Sequence, residues 1–252
     1  MSRAWDQLEA ELAAWAKLQT TATFWWRDDD ACRQTPALDR LADLAAAAQV
    51  PLCLAIIPGA AEESLGDTLG RPNISVWQHG VNHRNRAAPG ERKSEFPARL
   101  DVRACVDEIV AARDGLDDLL KGLSFSRVER VFVPPWNRIS DELAVALNDH
   151  FAGISAFGGR SHPLARWLNT HLDIIDWRGN RGFVGEVAAL TQIVEELRKR
   201  RLSPAEQARP VGLLTHHLVH DEDAWTFLEA FARRLLPCAH ARWLSGSELL
   251  SS

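Results

Sequence analysis

Polar side chains of the kind that bind metals or move protons follow short apolar runs at five places in this sequence. These places are the aspartates 28–30, His79, the Pro-Pro-Trp-Asn run at 134–137, the Asp-Trp pair at 176–177 and the His-His pair at 216–217. The carboxyl ends of the strands of a parallel α/β barrel meet on one face, and enzymes of that fold carry their active sites there. We therefore expect the five groups to converge on one site.

Two histidines four residues apart, His79 and His83, could place two imidazoles on one divalent ion. Gly80 follows the first of them, which excludes the zincin motif H-E-x-x-H, because that motif has its catalytic glutamate at this position. The spacing alone also suits two histidines in a surface loop. Together with a carboxylate from another strand, however, it would supply the two-His, one-carboxylate donor set of many catalytic metal centres.

Three adjacent aspartates, Asp28, Asp29 and Asp30, follow the apolar run at 22–26. Their mutual repulsion would weaken the fold unless a cation, a basic partner or solvent compensates it. Aspartate-rich turns in solvent are common, so the triplet is compatible with either an exposed turn or a metal site. The histidines at positions 79 and 83, which we expect at the same face of the barrel, favour the metal site.

The His216-His217 pair follows the apolar run at 211–215 and is a candidate source of a general acid or base. Neighbouring residues of a strand point to opposite faces, so only one of the two should face the mouth of the barrel. We favour His216 and keep His217 as the alternative. Asp176 could hold that imidazole in one tautomer, or it could cap a helix, and Trp177 would form an apolar wall.

Short apolar runs and amphipathic segments alternate along most of the chain, which favours a parallel α/β fold. The predicted strands are 22–26, 51–57, 74–77, 130–133, 153–157, 172–175, 211–215 and 241–244. The predicted helices are 36–48, 60–69, 101–122, 140–149, 185–201 and 221–236, preceded by a leader helix within 1–20. Neither G-x-G-x-x-G nor a Walker A sequence is present, so we predict a distorted (β/α) barrel of about seven parallel strands rather than a nucleotide-binding sheet.

Length and composition limit the class of protein. The chain has 252 residues and a formal net charge of −5, which suits one globular domain and argues against nucleic acid as the partner. The sequence has neither a long apolar run nor a signal-peptide pattern, so we predict a cytoplasmic protein without a transmembrane segment. Four widely spaced cysteines indicate reduced thiols. The segment 84–99 is predicted to be a long surface loop, and the oligomeric state stays open.

The order of these motifs resembles the polysaccharide deacetylase family over residues 20–220. The members of this family are metal-dependent carbohydrate esterases with a distorted (β/α) barrel. Their first motif, T-F-D-D-G, is matched by residues 27–31, which implies that Asp29 is the catalytic base and Asp30 a metal ligand, with a shift by one residue as the alternative. The second motif implies that His79 and His83 are the other two ligands.

The third family motif, R-P-P-[FWY], is matched by residues 133–136, and it implies that Pro135 and Trp136 form a wall of the substrate groove. Val133 stands where the family has an arginine that holds the base, and Arg27 and Arg138 are the nearest candidates to replace it. The fourth and fifth motifs imply a catalytic supporting role for Asp176, a substrate contact for Trp177 and the role of general acid for His216.

The resemblance implies a metal-dependent hydrolase that removes an N-acetyl or similar acyl group from an amino sugar or related carbohydrate. One divalent ion is expected, with zinc as the first choice and manganese, cobalt, iron or nickel as alternatives. Two other functions stay open. One is a carbohydrate-binding relative without catalysis, and the other is a different metal-dependent hydrolase of non-peptide C–N bonds on the same barrel.

Overall fold

Eight parallel strands form a curled sheet in this computed structural model, which describes residues 3–235 and 238–251. The order across the sheet is β5-β4-β3-β2-β1-β7-β6, and β8 pairs with the beginning of β1. The strands are β1 (Ala22–Ala31), β2 (Leu52–Ile56), β3 (Ile74–His79), β4 (Val128–Val133), β5 (Gly153–Ile154), β6 (Leu172–Asp173), β7 (Val211–Thr215) and β8 (Ala241–Trp243).

The two ends of this sheet are joined by irregular backbone pairing instead of a regular ladder. The N–H of Leu168 donates to the carbonyl of Ile154 at 2.8 Å, and the N–H of Thr170 donates to the carbonyl of Ala156 at 2.9 Å. The segment before β6 therefore runs parallel to the segment that continues β5. The predicted distorted (β/α) barrel is confirmed.

Helices cover the outside of the sheet. They are α1 (Arg3–Lys17), α2 (Pro36–Ala47), α3 (Leu65–Leu69), α4 (Val102–Gly122), α5 (Asp141–Ala146), α6 (Glu186–Arg201), α7 (Glu222–Leu235) and α8 (Gly246–Ser251). The hydroxyls of Thr35 and Ser140 accept backbone N–H groups at the starts of α2 and α5, which stabilises those helix starts. Residues 1 and 2 of the predicted leader and residue 236 of the predicted helix 221–236 lie outside the described residues.

Alternation along β1 separates two apolar layers. Phe24 and Trp26 pack outward against the helices, whereas Trp25 lies inside the barrel with Cys53 and Trp77. The rings of Trp25 and Trp77 are 5.3 Å apart, so large side chains fill the lower interior. The same alternation sends the next inward positions of β1 toward the carboxyl end of the barrel, where the candidate site lies.

Two further sequence predictions can be compared with the structure. The four cysteines are free thiols, as predicted. No helix in residues 3–235 and 238–251 is long and apolar enough to cross a membrane.

Candidate metal centre and active site

Three side chains converge at the carboxyl ends of β1 and β3. Asp30 Oδ1 lies 3.2 Å from His79 Nε2 and 3.4 Å from His83 Nε2. One ligand atom from each of the three residues lies within 4.8 Å of the other two, and no other such group of three is found in the described residues. The arrangement brings together the two histidines and one of the aspartates that the sequence singled out.

The hydrogen bonding of His79 makes this group suited to a cation. His79 Nδ1 is 3.0 Å from the carbonyl oxygen of Val133, so Nδ1 carries the hydrogen and donates it. In the neutral ring this leaves the lone pair of Nε2 facing Asp30 Oδ1, an arrangement that needs a proton or a metal ion between the two atoms. Asp30 Oδ1 is buried and has no well-aligned hydrogen-bond donor among the described residues. The donor set therefore fits a divalent ion.

The pKa values of His79 and Asp30 also indicate that the site favours a positive charge between them. Burial lowers the pKa of His79, but the charges of Asp29 and Asp30 outweigh this effect and raise the pKa above its usual value. Burial likewise raises the pKa of Asp30, but His79 outweighs it and leaves the pKa far below its usual range. The site thus favours an ionised carboxylate next to a positive charge, which can be supplied by a proton or by a metal ion.

The turn between the two histidines is shaped by Gly80 and Glu95. Gly80 has φ +59°, and a Cβ there would lie 2.1 Å from Glu95 Oε2, so only glycine fits. The Glu95 carboxylate is buried and accepts the N–H groups of Val81 at 3.0 Å and of Asn82 at 2.8 Å. Residues 84–99 contain neither helix nor strand, as predicted, but Glu95 anchors this loop to the turn between His79 and His83. No sequence signal singled out Glu95.

Each of the three adjacent aspartates has its own basic partner. Asp28 Oδ1 is 2.5 Å from the Nδ1 atom of His217, and Asp29 forms an ion pair with Arg27. Asp30 faces His79 and His83. These partners compensate the mutual repulsion of the three carboxylates. Because each aspartate has a different partner, the three residues can have different roles. Asp28 and Asp29 point to opposite faces of β1, so only Asp29 shares the barrel interior with Arg27.

Arg27 is fully buried and makes four polar contacts. Its Nε atom is 2.7 Å from Asp29 Oδ1, and its Nη2 atom is 3.0 Å from Asp29 Oδ2. It also donates to Ser155 Oγ at 2.6 Å and to Asn137 Oδ1 at 2.9 Å. Arg138, the other candidate from the sequence, donates instead to the carbonyl of Lys93. The arginine beside Asp29 therefore comes from β1. Ser155 and Asn137 were not singled out as its supports.

His216 lies at the same mouth as Asp29. Its Nε2 atom is 4.0 Å from Asp29 Oδ2, and its ring meets Trp177 edge-on with the ring centres 4.7 Å apart. His217 is buried on the other face, against Asp28. The two histidines thus point in different directions, as the alternation of strand residues led us to expect.

Two aspartates, Asp173 and Asp176, lie in the segment next to Trp177, and the charge of His216 acts on the first of them. Burial raises the pKa of Asp173 and the charge of His216 lowers it again in part, while the carboxylate accepts the Trp177 indole N–H at 2.7 Å. Asp176 accepts the backbone N–H groups of Arg178 and Gly179, so it caps a turn. None of its hydrogen bonds within the described residues reaches His216. The supporting role predicted for Asp176 therefore stays a prediction.

The expected groove residues lie next to Gly80, His83 and His216. Pro135 is buried, the ring centre of Trp136 is 4.4 Å from that of His83, and Trp177 is 39% exposed. Trp136 has φ +55°, a left-handed backbone conformation that is uncommon for a tryptophan. Its N–H has no acceptor among the described residues, whereas the next two N–H groups donate to the carbonyls of residues 134 and 135.

Comparison with known proteins adds a fold relationship. No family model and no curated protein sequence matches the chain. Among solved structures, the peptidoglycan deacetylase PdaC from Bacillus subtilis matches with 17% identity, a TM-score of 0.52 and coverage of 92% of this chain and 91% of that chain. A family 4 acetyl xylan esterase from Clostridium thermocellum, solved in complex with a cobalt ion, matches with 12% identity, a TM-score of 0.54 and coverage of 91% and 90%.

The third comparison is a CE4 family pseudoenzyme from Bacillus anthracis, with 14% identity and a TM-score of 0.56 over 91% of this chain and 66% of that chain. The 252-residue chain therefore has the fold of the CE4 deacetylases. The resemblance predicted from the motifs is confirmed at the level of the fold. The presence of a pseudoenzyme among the neighbours means that activity must be argued from the site itself.

Proposed function

We propose that this protein is a metal-dependent deacetylase that hydrolyses an N-acetyl or similar acyl group on an amino sugar or related carbohydrate. The observation that carries the proposal is the convergence of three groups at one barrel mouth. These groups are the donor set around Asp30, the Asp29 carboxylate held by Arg27, and the imidazole of His216. Each group corresponds to one requirement of acyl hydrolysis: a Lewis acid, a base and an acid.

Asp30, His79 and His83 would hold the divalent ion, for which zinc is our first choice and manganese, cobalt, iron and nickel are the alternatives. When bound, such an ion polarises the acyl carbonyl and makes water a better nucleophile. The second nitrogen of His79 is already fixed by the carbonyl of Val133, so its ligand atom is oriented before any ion arrives.

Asp29 would accept the proton of the attacking water. Arg27 contacts both of its oxygens and so fixes the plane of the carboxylate, which is the role of the missing arginine at position 133. His216 would donate a proton to the departing amine. The unpartnered N–H of Trp136 is the backbone donor available to stabilise the oxyanion.

The proposed substrate class depends on the walls of the site and on the neighbouring folds. Trp136 beside His83 and Trp177 beside His216 offer two aromatic rings on which a sugar ring could stack. The neighbours include proteins described as a peptidoglycan deacetylase and an acetyl xylan esterase. We therefore place a carbohydrate in this site.

The experiment is an assay of acetate release by the metal-loaded protein from N-acetylglucosamine oligomers, peptidoglycan fragments, acetylated xylan and nucleotide-linked N-acetylglucosamine. We expect turnover on at least one of them, and a loss of about 100-fold or more in Asp29→Asn. Asp117→Asn, which removes a surface ion pair with Arg130, is the matched control and should keep full activity.

The same assay separates the alternatives. Ligand binding without acetate release would identify a non-catalytic relative, as the pseudoenzyme neighbour illustrates for this fold. Hydrolysis of cyclic amides or ureides without release of acetate from sugars would identify a different C–N hydrolase. Either result would overturn the proposed substrate and reaction.

A further inference from the structure

We propose that Asp28 is a positioning residue for His216, and that its carboxylate fixes the backbone on both sides of this imidazole. The inference rests on the proposed function, because it concerns the general acid of that reaction. The family motif has an apolar residue at this place, so the resemblance assigns nothing to Asp28. Its location, on the face of β1 that points away from the mouth, also removes it from direct contact with a substrate.

The carboxylate of Asp28 is completely buried and accepts three hydrogens from β7 and the turn that follows it. Oδ2 accepts the hydroxyl of Thr215 at 2.6 Å and the backbone N–H of His217 at 3.0 Å. Oδ1 is 2.5 Å from His217 Nδ1. All three donors belong to the two residues that flank His216 in the chain. The carboxylate of Asp28 therefore holds the residues before and after His216 by hydrogen bonds.

The hydrogen-bond network extends one step further into the core. The indole N–H of Trp26 donates to the hydroxyl oxygen of Thr215 at 2.8 Å, and this hydroxyl donates its own hydrogen to Asp28 at 2.6 Å in preference to the carbonyl of Arg27 at 3.5 Å. Both tryptophan and threonine are buried. The direction of each hydrogen bond is thereby fixed, which restricts the end of β7 to one conformation.

The ring of His216, in contrast, has little to hold it. Its Nδ1 atom is buried without a hydrogen-bond partner among the described residues, and its Nε2 atom is 4.0 Å from Asp29. The edge-on contact with Trp177 is its main side-chain support. Because the ring is not anchored by its own hydrogen bonds, its position depends on the backbone, which the Asp28 carboxylate holds.

The test compares Asp28→Asn with His217→Asn in the metal-loaded protein. The Asp28→Asn amide keeps one oxygen for Thr215 and the backbone N–H of His217, and its N–H₂ then faces His217 Nδ1, which can accept it only after losing its own hydrogen. Because the negative charge and one hydrogen bond to the carboxylate are lost, we expect kcat to fall about 10- to 100-fold while KM and metal content stay within about twofold. The amide of His217→Asn can place an N–H near the position of Nδ1, so this variant should keep most of kcat. Thr215→Val, which removes one donor, serves as a second perturbation if Asp28→Asn does not fold.

A second readout separates this inference from the proposed function. The ¹⁵N resonances of the His216 ring report its environment without any substrate, and we expect them to shift or broaden in Asp28→Asn but not in Asp117→Asn. If the wild-type protein releases no acetate, the proposed function fails and the resonances still test the positioning role. A folded Asp28→Asn protein with unchanged kcat and unchanged His216 resonances would overturn the inference, and so would a loss of activity explained by loss of the metal.

Discussion

The ion pair inside the barrel offers the sharpest prediction about how the site is built. Arg27 is 0% exposed and Asp29 is 2% exposed, and within residues 3–235 and 238–251 no carboxylate other than Asp29 contacts the guanidinium. Replacing Arg27→Met keeps a long apolar stem but removes the positive charge. The Asp29 carboxylate would then be left in the barrel without its partner, and Ser155 and Asn137 would each lose a donor.

The expected loss follows from this burial. Removing one member of a fully buried ion pair costs about 3–5 kcal/mol, because an uncompensated charge stays in a poorly solvated interior. The matched control is Arg130→Met. Arg130 forms an ion pair with Asp117 of α4 outside the barrel, and the Arg130 side chain is 45% exposed. Exposed ion pairs contribute about 0–1 kcal/mol, so Arg27→Met should lose clearly more free energy of unfolding than Arg130→Met.

The assay is urea unfolding followed by tryptophan fluorescence, with a chelator present so that metal binding does not enter the comparison. The double variant Arg27→Met/Asp29→Asn should regain part of the lost free energy of unfolding, since it leaves no buried charge. A loss of less than about 1 kcal/mol in Arg27→Met, or no recovery in the double variant, would refute the reasoning that Arg27 neutralises Asp29.

Three further predictions concern His220, whose ring packs against Trp225, the two aspartates near Trp177, and the position of the buried arginine. Burial lowers the pKa of His220 to about 4, so between about pH 6.5 and 4 the unfolded chain binds a proton that the folded protein does not. The free energy of unfolding should therefore fall by up to about 3 kcal/mol as the pH drops through that window. Urea titrations at each pH should show a smaller fall in His220→Phe. Asp173→Asn should lower kcat by about tenfold, whereas Asp176→Ala should cost only about 1 kcal/mol of stability with kcat unchanged. The reverse pattern in the acetate assay would identify Asp176 as the supporting carboxylate. Moving the arginine to its family position in Arg27→Thr/Val133→Arg should recover activity over Arg27→Thr alone, and equal activity of the two would contradict the shared role.

The barrel and the metal group could be predicted because their signals are local in the sequence. Apolar runs followed by polar residues mark the carboxyl ends of strands, and a parallel barrel gathers those ends at one face. The H-x-x-x-H spacing gave two candidate ligands, and the Asp triplet limited the third candidate to adjacent positions. The alternation along a strand favoured His216 over His217 at the mouth.

The supporting contacts could not be predicted, because they join residues far apart in the chain. Arg27 donates to residues 110 and 128 positions away, and no local pattern marks Asn137 or Ser155 as their acceptors. The choice between Asp173 and Asp176 depends on where the irregular segment after β6 turns, which its sequence does not encode in a recognisable period. Glu95 lies in a loop without regular structure, where spacing carries no information about contacts.

The most direct test of the central claim is the zinc content of the purified protein, measured by elemental analysis after reconstitution and removal of free metal. Wild type and Asp117→Asn should each retain about one zinc per chain, whereas Asp30→Ala and His83→Ala should lose it. A wild-type protein that retains no divalent ion after reconstitution, or one whose metal survives both ligand changes, would contradict the assignment of Asp30, His79 and His83 as the metal centre.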